Sequence, residues 1–264
     1  MENDQFVDLL GLFKKHLELD RGFGIQFVPR AAPVKKAYPH TASEIHTVQE
    51  QNKNWGSSLS PEIPPEPAIP PDDIFEELRK EVASCRKCEL CKTRINAVFG
   101  EGDPATDLVF VGEGPGADED RSGRPFVGRA GVLLTKIIQD GMNLPRSSVF
   151  IGNIVKCRPP GNRAPTLTEM AGCISYLKEQ LRTIRPKVIV ALGATACHGL
   201  LGEKLAITRE RGEFREWEGI KVMPTFHPAY LLRNYAPDTR RAVWEDMKAV
   251  VKYLQEQGSP LVEK

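Results

Sequence analysis

The chain has 264 residues, 41% of them hydrophobic and 27% charged, with a formal net charge of +1. That length accommodates one good-sized core plus an appendage, and the near-zero charge excludes a global basic field, so a polyanion would have to meet a local patch. No stretch approaches the roughly 20 apolar residues of a membrane span, and Met1-Glu2-Asn3-Asp4-Gln5 lacks the basic start and apolar run of a signal peptide. The expectation is a cytoplasmic protein whose six cysteines are thiols or metal ligands rather than disulfides.

Residues 1–72 and 73–264 differ in kind. In the first part Phe6, Leu9, Leu10, Phe13 and Leu17 fall at helical spacing over Gln5 to Leu19. Polar sequence follows and ends in the Pro-rich run from Pro61 to Pro71, where missing backbone donors favour extended polyproline conformations. This part reads as a mostly disordered helix-plus-linker extension. The helix is either a weakly docked appendage or a peptide for a protein partner.

From Asp72 the pattern becomes regular. Asp72 and Asp73 are placed to cap a helix running through Ile74 and Leu78 toward Val82. Short apolar runs then alternate with helical patterns. Strands are expected at Leu108–Val111, from Val149 to Ile151, at Val188–Leu192 and from Ile220 to Pro224. Helices are expected over Gly131 to Ile138, Thr168 to Thr183, Ala194 to Leu201 and Thr239 to Gln255. This alternation predicts a three-layer α/β/α fold around a central, mainly parallel four-stranded sheet. The chemically interesting residues, Gly112–Gly116, Asn153, Gly193 and His227, fall just after the strands, at the carboxyl ends where open α/β sheets bind ligands.

Two features carry chemistry on their own. Cys85 and Cys88 form a C-x-x-C pair, with Cys157 and Cys173 far downstream. Widely separated thiols read as a metal or cluster clamp, and thiolates suit zinc and iron–sulfur centres alike. Cys91 and Cys197 are left outside the clamp, Cys197 as a small core residue on a helix. The second feature is Gly112-Glu113-Gly114-Pro115-Gly116, which follows a strand but is neither G-x-G-x-x-G nor a P-loop. The acids Asp118, Glu119 and Asp120 that follow would repel a pyrophosphate. The turn is either purely structural or a close backbone approach to a flat, neutral ligand.

Three blocks then form one pattern. Gly112 to Asp120 with Gly123-Arg124-Pro125-Phe126-Val127-Gly128 resembles the opening motif of the family 4, iron–sulfur type uracil-DNA glycosylases. Asn153-Ile154-Val155-Lys156-Cys157-Arg158-Pro159-Pro160-Gly161-Asn162-Arg163 resembles the central block of that family. Pro224 to Asn234, containing His227-Pro228, resembles its C-terminal block. The likeness runs over roughly residues 78–256, in order, and leaves residues 1–72 uncovered.

The resemblance implies a domain over 73–264 that removes uracil from DNA by hydrolysing the N-glycosidic bond, initiating base excision repair without strand cleavage. It implies a [4Fe–4S] cluster on Cys85, Cys88, Cys157 and Cys173 that acts as a structural staple. Phe126 becomes the ring that stacks on uracil, Asn153 the amide that reads it, and Glu119 the group that crowds the C5 edge against thymine. Gly112, Gly114 and Gly116 line the base, and turn amides assist His227 in stabilising charge on O2. Glu113 is the nearest carboxylate for positioning water or steadying the sugar cation. Leu231 and Leu232 are read either as a wedge filling the space of a flipped base or as core residues at the start of a helix. Arg233, with Arg240 and Arg241, and a second group of Lys156, Arg158 and Arg163, are the expected phosphate contacts. A cross-linking branch of the superfamily carries a His in a basic insert after the central motif. Residues 157–165 contain none, so no covalent trap with DNA is expected. Nothing in the sequence calls for more than a monomer. The competing readings are a non-catalytic nucleic-acid-binding iron–sulfur module and an enzyme that uses the cluster as reagent.

Overall fold

Residues 71–234 and 236–262 are described by a computed structural model. They lie in one compact unit, Ile69–Lys264. The expected N-terminal helix over Gln5 to Leu19 and most of the Pro-rich run fall outside the described residues.

In chain order the elements are α1 (Pro71–Ser84), β1 (Glu101–Gly102), β2 (Leu108–Gly112), α2 (Ala117–Ser122), α3 (Arg129–Lys136), β3 (Phe150–Asn153), α4 (Leu167–Ile184), β4 (Val188–Leu192), α5 (Ala194–Leu201), α6 (Ile207–Glu210), β5 (Arg215–Trp217), β6 (Ile220–Thr225), α7 (Pro228–Arg233) and α8 (Pro237–Glu256). The sheet has six strands in the order β1-β3-β2-β4-β6-β5. Its four inner strands are parallel, as expected, and β1 and β5 are short antiparallel edges.

β2 and β4 are buried at every position. They are apolar without alternation because helices cover both faces of the parallel sheet. Side chains still alternate between two cores. Val109, Val111 and Ile189 face Phe75, Leu78 and Val82 of α1 and Leu177 and Leu181 of α4. Leu108, Phe110 and Val190 face Leu134 of α3 and Val243, Met247 and Val250 of α8. The helical spacing of these last three residues makes α8 a covering helix. α4 begins with a capping box in which Thr166 Oγ1 accepts from Glu169 N at 3.2 Å and Glu169 returns a bond to Thr166 N. Among the described residues no helix is long and apolar enough to cross a membrane.

Topology positions the site. From β2 the chain goes to β3 on one side and then crosses to β4 and β6 on the other. The carboxyl end of β2 is therefore a switch point, where loops diverge and leave a crevice. Gly112 ends β2 there, and its Cα partner across the ladder is Asn153, the last residue of β3.

One packing constraint closes the wall beside this crevice. Phe126 has φ +51°, and a Cβ on Gly131 would lie 1.9 Å from the Phe126 carbonyl carbon and oxygen. Only glycine lets the first turns of α3 approach that backbone. Gly131→Ala is therefore expected to lower the urea unfolding free energy by about 1–3 kcal/mol, the usual cost of overpacking. An unchanged urea midpoint would show that the loop yields without strain.

Candidate active site and thiol cluster

The crevice is built from three chain segments. β2 delivers Gly112, β3 delivers Asn153, and the loop before α3 delivers Phe126. A Cβ placed on Gly112 would meet Asn153 Oδ1 and Phe126 Cζ, each at 2.5 Å. The amide and the aromatic edge thus converge over a bare backbone, which explains why a glycine ends this strand. Asn153 is 1% exposed, and its Oδ1 is buried without a hydrogen-bond partner among the described residues. A buried amide oxygen left unpaired costs the fold its desolvation unless something else donates to it.

His227 faces the same space from the far side of the switch point. Its ring centroid is 5.7 Å from that of Phe126, with the planes tilted by 34°. The residue is the N-cap of α7, and its Nδ1 accepts from Ala229 N at 3.1 Å. An Nδ1 that accepts carries no proton, so Nε2 carries it and is a donor. Burial pushes the imidazole pKa down to about 4, nearby Arg233 pushes the same way, and Glu119 pulls weakly against them. The ring is therefore neutral at physiological pH. Below it, Gly193 has φ +90°, and a Cβ there would stand 3.1 Å from His227 Cβ. The end of β6 is anchored by a buried bond from Thr225 Oγ1 to Asp246 Oδ2 at 2.5 Å, with Arg211 Nε on the same oxygen at 2.7 Å.

Glu119 binds the two halves of the loop system together. Its Oε2 accepts from Gly116 N at 3.1 Å, and its Oε1 accepts from Val127 N at 2.9 Å and Gly128 N at 2.8 Å. Both carboxylate oxygens are engaged by backbone, and the Gly116 amide is committed to Glu119. Glu113 sits half-buried on the turn, and its carbonyl accepts from Val155 N at 3.1 Å. Its carboxylate has no hydrogen-bond or ion-pair partner among the described residues. Gly114 packs under Val155, whose Cγ2 would lie 2.6 Å from an added Cβ.

The rim residues divide. Leu231 is 4% exposed and packs in the α8-side core, so it is a core residue, as the second of its two readings had it. Leu232 is half-buried and Arg233 exposed. Arg158 is partly exposed, with its Nε on Asn162 Oδ1 at 2.7 Å. Arg163 makes a two-pronged pair with Glu169, at 2.6 and 2.8 Å, which ties it to the start of α4. Lys156, expected on a phosphate-binding patch, is instead fully enclosed. Its Nζ donates to Gln180 Oε1 at 2.6 Å, and the long stem runs inward from the loop after β3. Proximity in sequence to arginines at the surface was a misleading guide for this residue.

The second constellation lies on the opposite face of the sheet, where Cys85, Cys88, Cys157 and Cys173 share the α1–α4 core. Cys157 and Cys173 are buried, at 5% and 7% exposure, and all are free thiols. Cys157 Sγ accepts from Arg94 Nη1 at 3.0 Å, and Cys173 Sγ accepts from Lys156 N at 3.2 Å. Among the described residues, no three His, Cys, Asp or Glu side chains converge on one ion. The soft sulfurs, gathered in one neighbourhood with the two buried ones each accepting a hydrogen bond, fit a polynuclear iron–sulfur centre, whose thiolates are spread around several metal atoms. Cys197 is fully buried on α5, and burial pushes its thiol up to about 12, in keeping with a core role. Sequence reasoning did not find Arg94, because it lies in no spacing pattern with the cysteines.

Comparison with known proteins agrees with this geometry. The family model described as Uracil DNA glycosylase superfamily matches residues 99–248, which hold Gly112, Phe126, Asn153 and His227. A Type-4 uracil-DNA glycosylase of Thermotoga maritima is 48% identical over 189 residues, covering 71% of this chain and 98% of that protein. One from Sulfurisphaera tokodaii is 46% identical over 186 residues, covering 67% and 84%. A DNA polymerase of Bacillus phage SP01 is 31% identical over 135 residues, a segment that makes up 14% of that protein. With that coverage and the converging Gly112, Phe126, Asn153 and His227, the chain belongs to the uracil-DNA glycosylase superfamily, and within it to the type-4 glycosylases.

Proposed function

We propose that the chain removes uracil from DNA by hydrolysing its N-glycosidic bond, leaving an abasic site for base excision repair. The observation that carries this reading is the buried, unpaired Oδ1 of Asn153, held beside an aromatic edge above a bare glycine. A base stacked in the duplex cannot reach such a pocket, so the target nucleotide is flipped out. Uracil presents an N3–H donor beside an O4 acceptor. Oδ1 accepts from N3–H while Nδ2 donates to O4. Cytosine offers an acceptor at N3 and a donor at C4, and a fixed amide opposes both. Phe126 supplies the stacking face.

Bond cleavage leaves negative charge on uracil O2 and positive charge on the sugar. His227, neutral and with Nε2–H as its donor, hydrogen-bonds the oxygen as that charge grows. A preset dipole in an enclosed site gives more to the transition state than to the neutral base. Glu113, with its carboxylate uncommitted, is placed to steady the sugar cation or orient water. Glu119 contributes by fixing the loop that carries Phe126, and it is the group assigned to crowd the C5 edge of the base against thymine. Leu232 and Arg233 form the rim that meets DNA, together with Arg158.

Cys85, Cys88, Cys157 and Cys173 would hold a [4Fe–4S] cluster. When bound, it supplies a cross-link between the segment after α1 and the loop after β3, with no part in bond cleavage. The domain over residues 73–264 then carries the whole reaction.

The test is incubation with a labelled uracil-containing oligonucleotide followed by alkali. Cleavage at uracil only after alkali, absent with cytosine or thymine and reduced about 100-fold or more in His227→Ala, is expected. An iron-loaded protein without cleavage would favour a non-catalytic DNA-binding role. Because the imidazole is protonated only as pH falls through about 4, kcat/KM is expected to show no acid limb from His227 between pH 8 and 5. A limb near 6.5 that disappears in His227→Ala would contradict a neutral donor. Asn153→Asp is expected to narrow the preference for uracil over cytosine by about 10-fold or more, read as the ratio of kcat/KM values. Unchanged discrimination would remove Asn153 as the reader. Cys157→Ala is expected to lose the cluster and most of the soluble yield. Normal iron content in that variant would exclude Cys157 as a ligand.

A further inference from the structure

Two cations stand against the thiol cluster and take no part in the reaction derived above. Lys156 is 1% exposed, and its Nζ meets the neutral Gln180 Oε1. Gln180 is held in turn by donating to Phe99 O at 2.9 Å. No carboxylate pairs with this ammonium among the described residues. A charge so far from water needs a compensating charge nearby. The Lys156 backbone N–H donates to Cys173 Sγ at 3.2 Å, which roots this buried side chain at the thiol cluster.

Arg94 repeats the arrangement on a second sulfur. Its Nη1 donates to Cys157 Sγ at 3.0 Å, and its Nη2 is anchored on Ala83 O at 2.7 Å, at the end of α1. The guanidinium also feels Cys85. Each cation is thus fixed by a neutral partner, and the two residues meet different buried thiols, Arg94 through its guanidinium and Lys156 through its backbone N–H.

We propose that Lys156 and Arg94 are the counter-cations of the iron–sulfur centre and hold it in its more negative, less oxidised charge state. A [4Fe–4S]2+ core bound by four thiolates is a dianion, and removal of one electron leaves a monoanion. Fixed positive charge and hydrogen bonds on the sulfurs favour the dianion and lower the tendency to lose that electron. The cluster is thereby kept as a durable cross-link. This inference rests on the iron–sulfur reading above.

The experiment compares the full chain with Lys156→Met, Arg94→Gln and Arg94→Lys. Iron and sulfide content and the circular-dichroism melt are recorded first. The midpoint potential is then measured by film voltammetry, and the loss of visible cluster absorbance by stopped flow against ferricyanide, the electron acceptor. Lys156→Met and Arg94→Gln are expected to carry iron, to show lower midpoint potentials, and to bleach about tenfold faster. Arg94→Lys, which keeps the charge, is expected to stay close to the parent. If Lys156→Met does not fold, the partly exposed Arg94 still decides the matter. Folded, iron-loaded neutral variants with the parent's potential and bleaching rate would overturn this inference alone. A parent chain without iron would overturn the cluster reading and this inference with it.

Discussion

A buried amide oxygen with nothing to accept from governs the architecture of the active face. Asn153 Oδ1 lies at the carboxyl end of a parallel strand, enclosed by protein and facing the edge of Phe126 across Gly112. Such a group is completed by an ordered water or by a ligand, and its place beside Phe126 and Gly112 suits a ligand. The surrounding structure keeps it in place. The β2–β3 register sets Asn153 opposite Gly112, and Gly131 lets α3 press against the backbone of Phe126. Glu119 ties that loop to the Gly-rich turn through Gly116, Val127 and Gly128.

The two faces of the sheet use polar groups differently. On the active face the His227 imidazole keeps Nε2 as its donor, and burial keeps the ring neutral. On the other face the buried Cys157 and Cys173 sulfurs accept from the Arg94 guanidinium and the Lys156 backbone N–H. β3 and the loop that follows join the faces, because Asn153 and Cys157 lie four residues apart on one chain segment. The proposed cross-link at Cys157 would therefore also limit the motion of the strand end that carries Asn153.

Much of this was legible in the sequence. The apolar runs at Leu108–Val111 and Val188–Leu192 announce fully buried parallel strands, and the residues after them carry the chemistry. β1 and β5 were not legible, since two and three residues give no period to detect. α7 begins at Pro228 and is too short to show a helical repeat, so the sequence offers it only through one of the two readings of Leu231 and Leu232. The part played by Glu119 depends on backbone amides eight and nine residues away, which side-chain identity does not encode. Leu231 and Leu232 look equivalent in sequence, and only the direction of α7 sends the first inward. Lys156 was misplaced for a related reason. A lysine beside arginines suggests a surface, and its burial follows from Gln180, 24 residues away on α4.

The measurement that tests the central claim most directly is a crystal structure of the protein soaked with free uracil. The account predicts the base stacked on Phe126, with N3–H within hydrogen-bond distance of Asn153 Oδ1 and O2 facing His227 Nε2. Uracil bound elsewhere, or Asn153 Oδ1 satisfied by another protein group while the base is present, would contradict it.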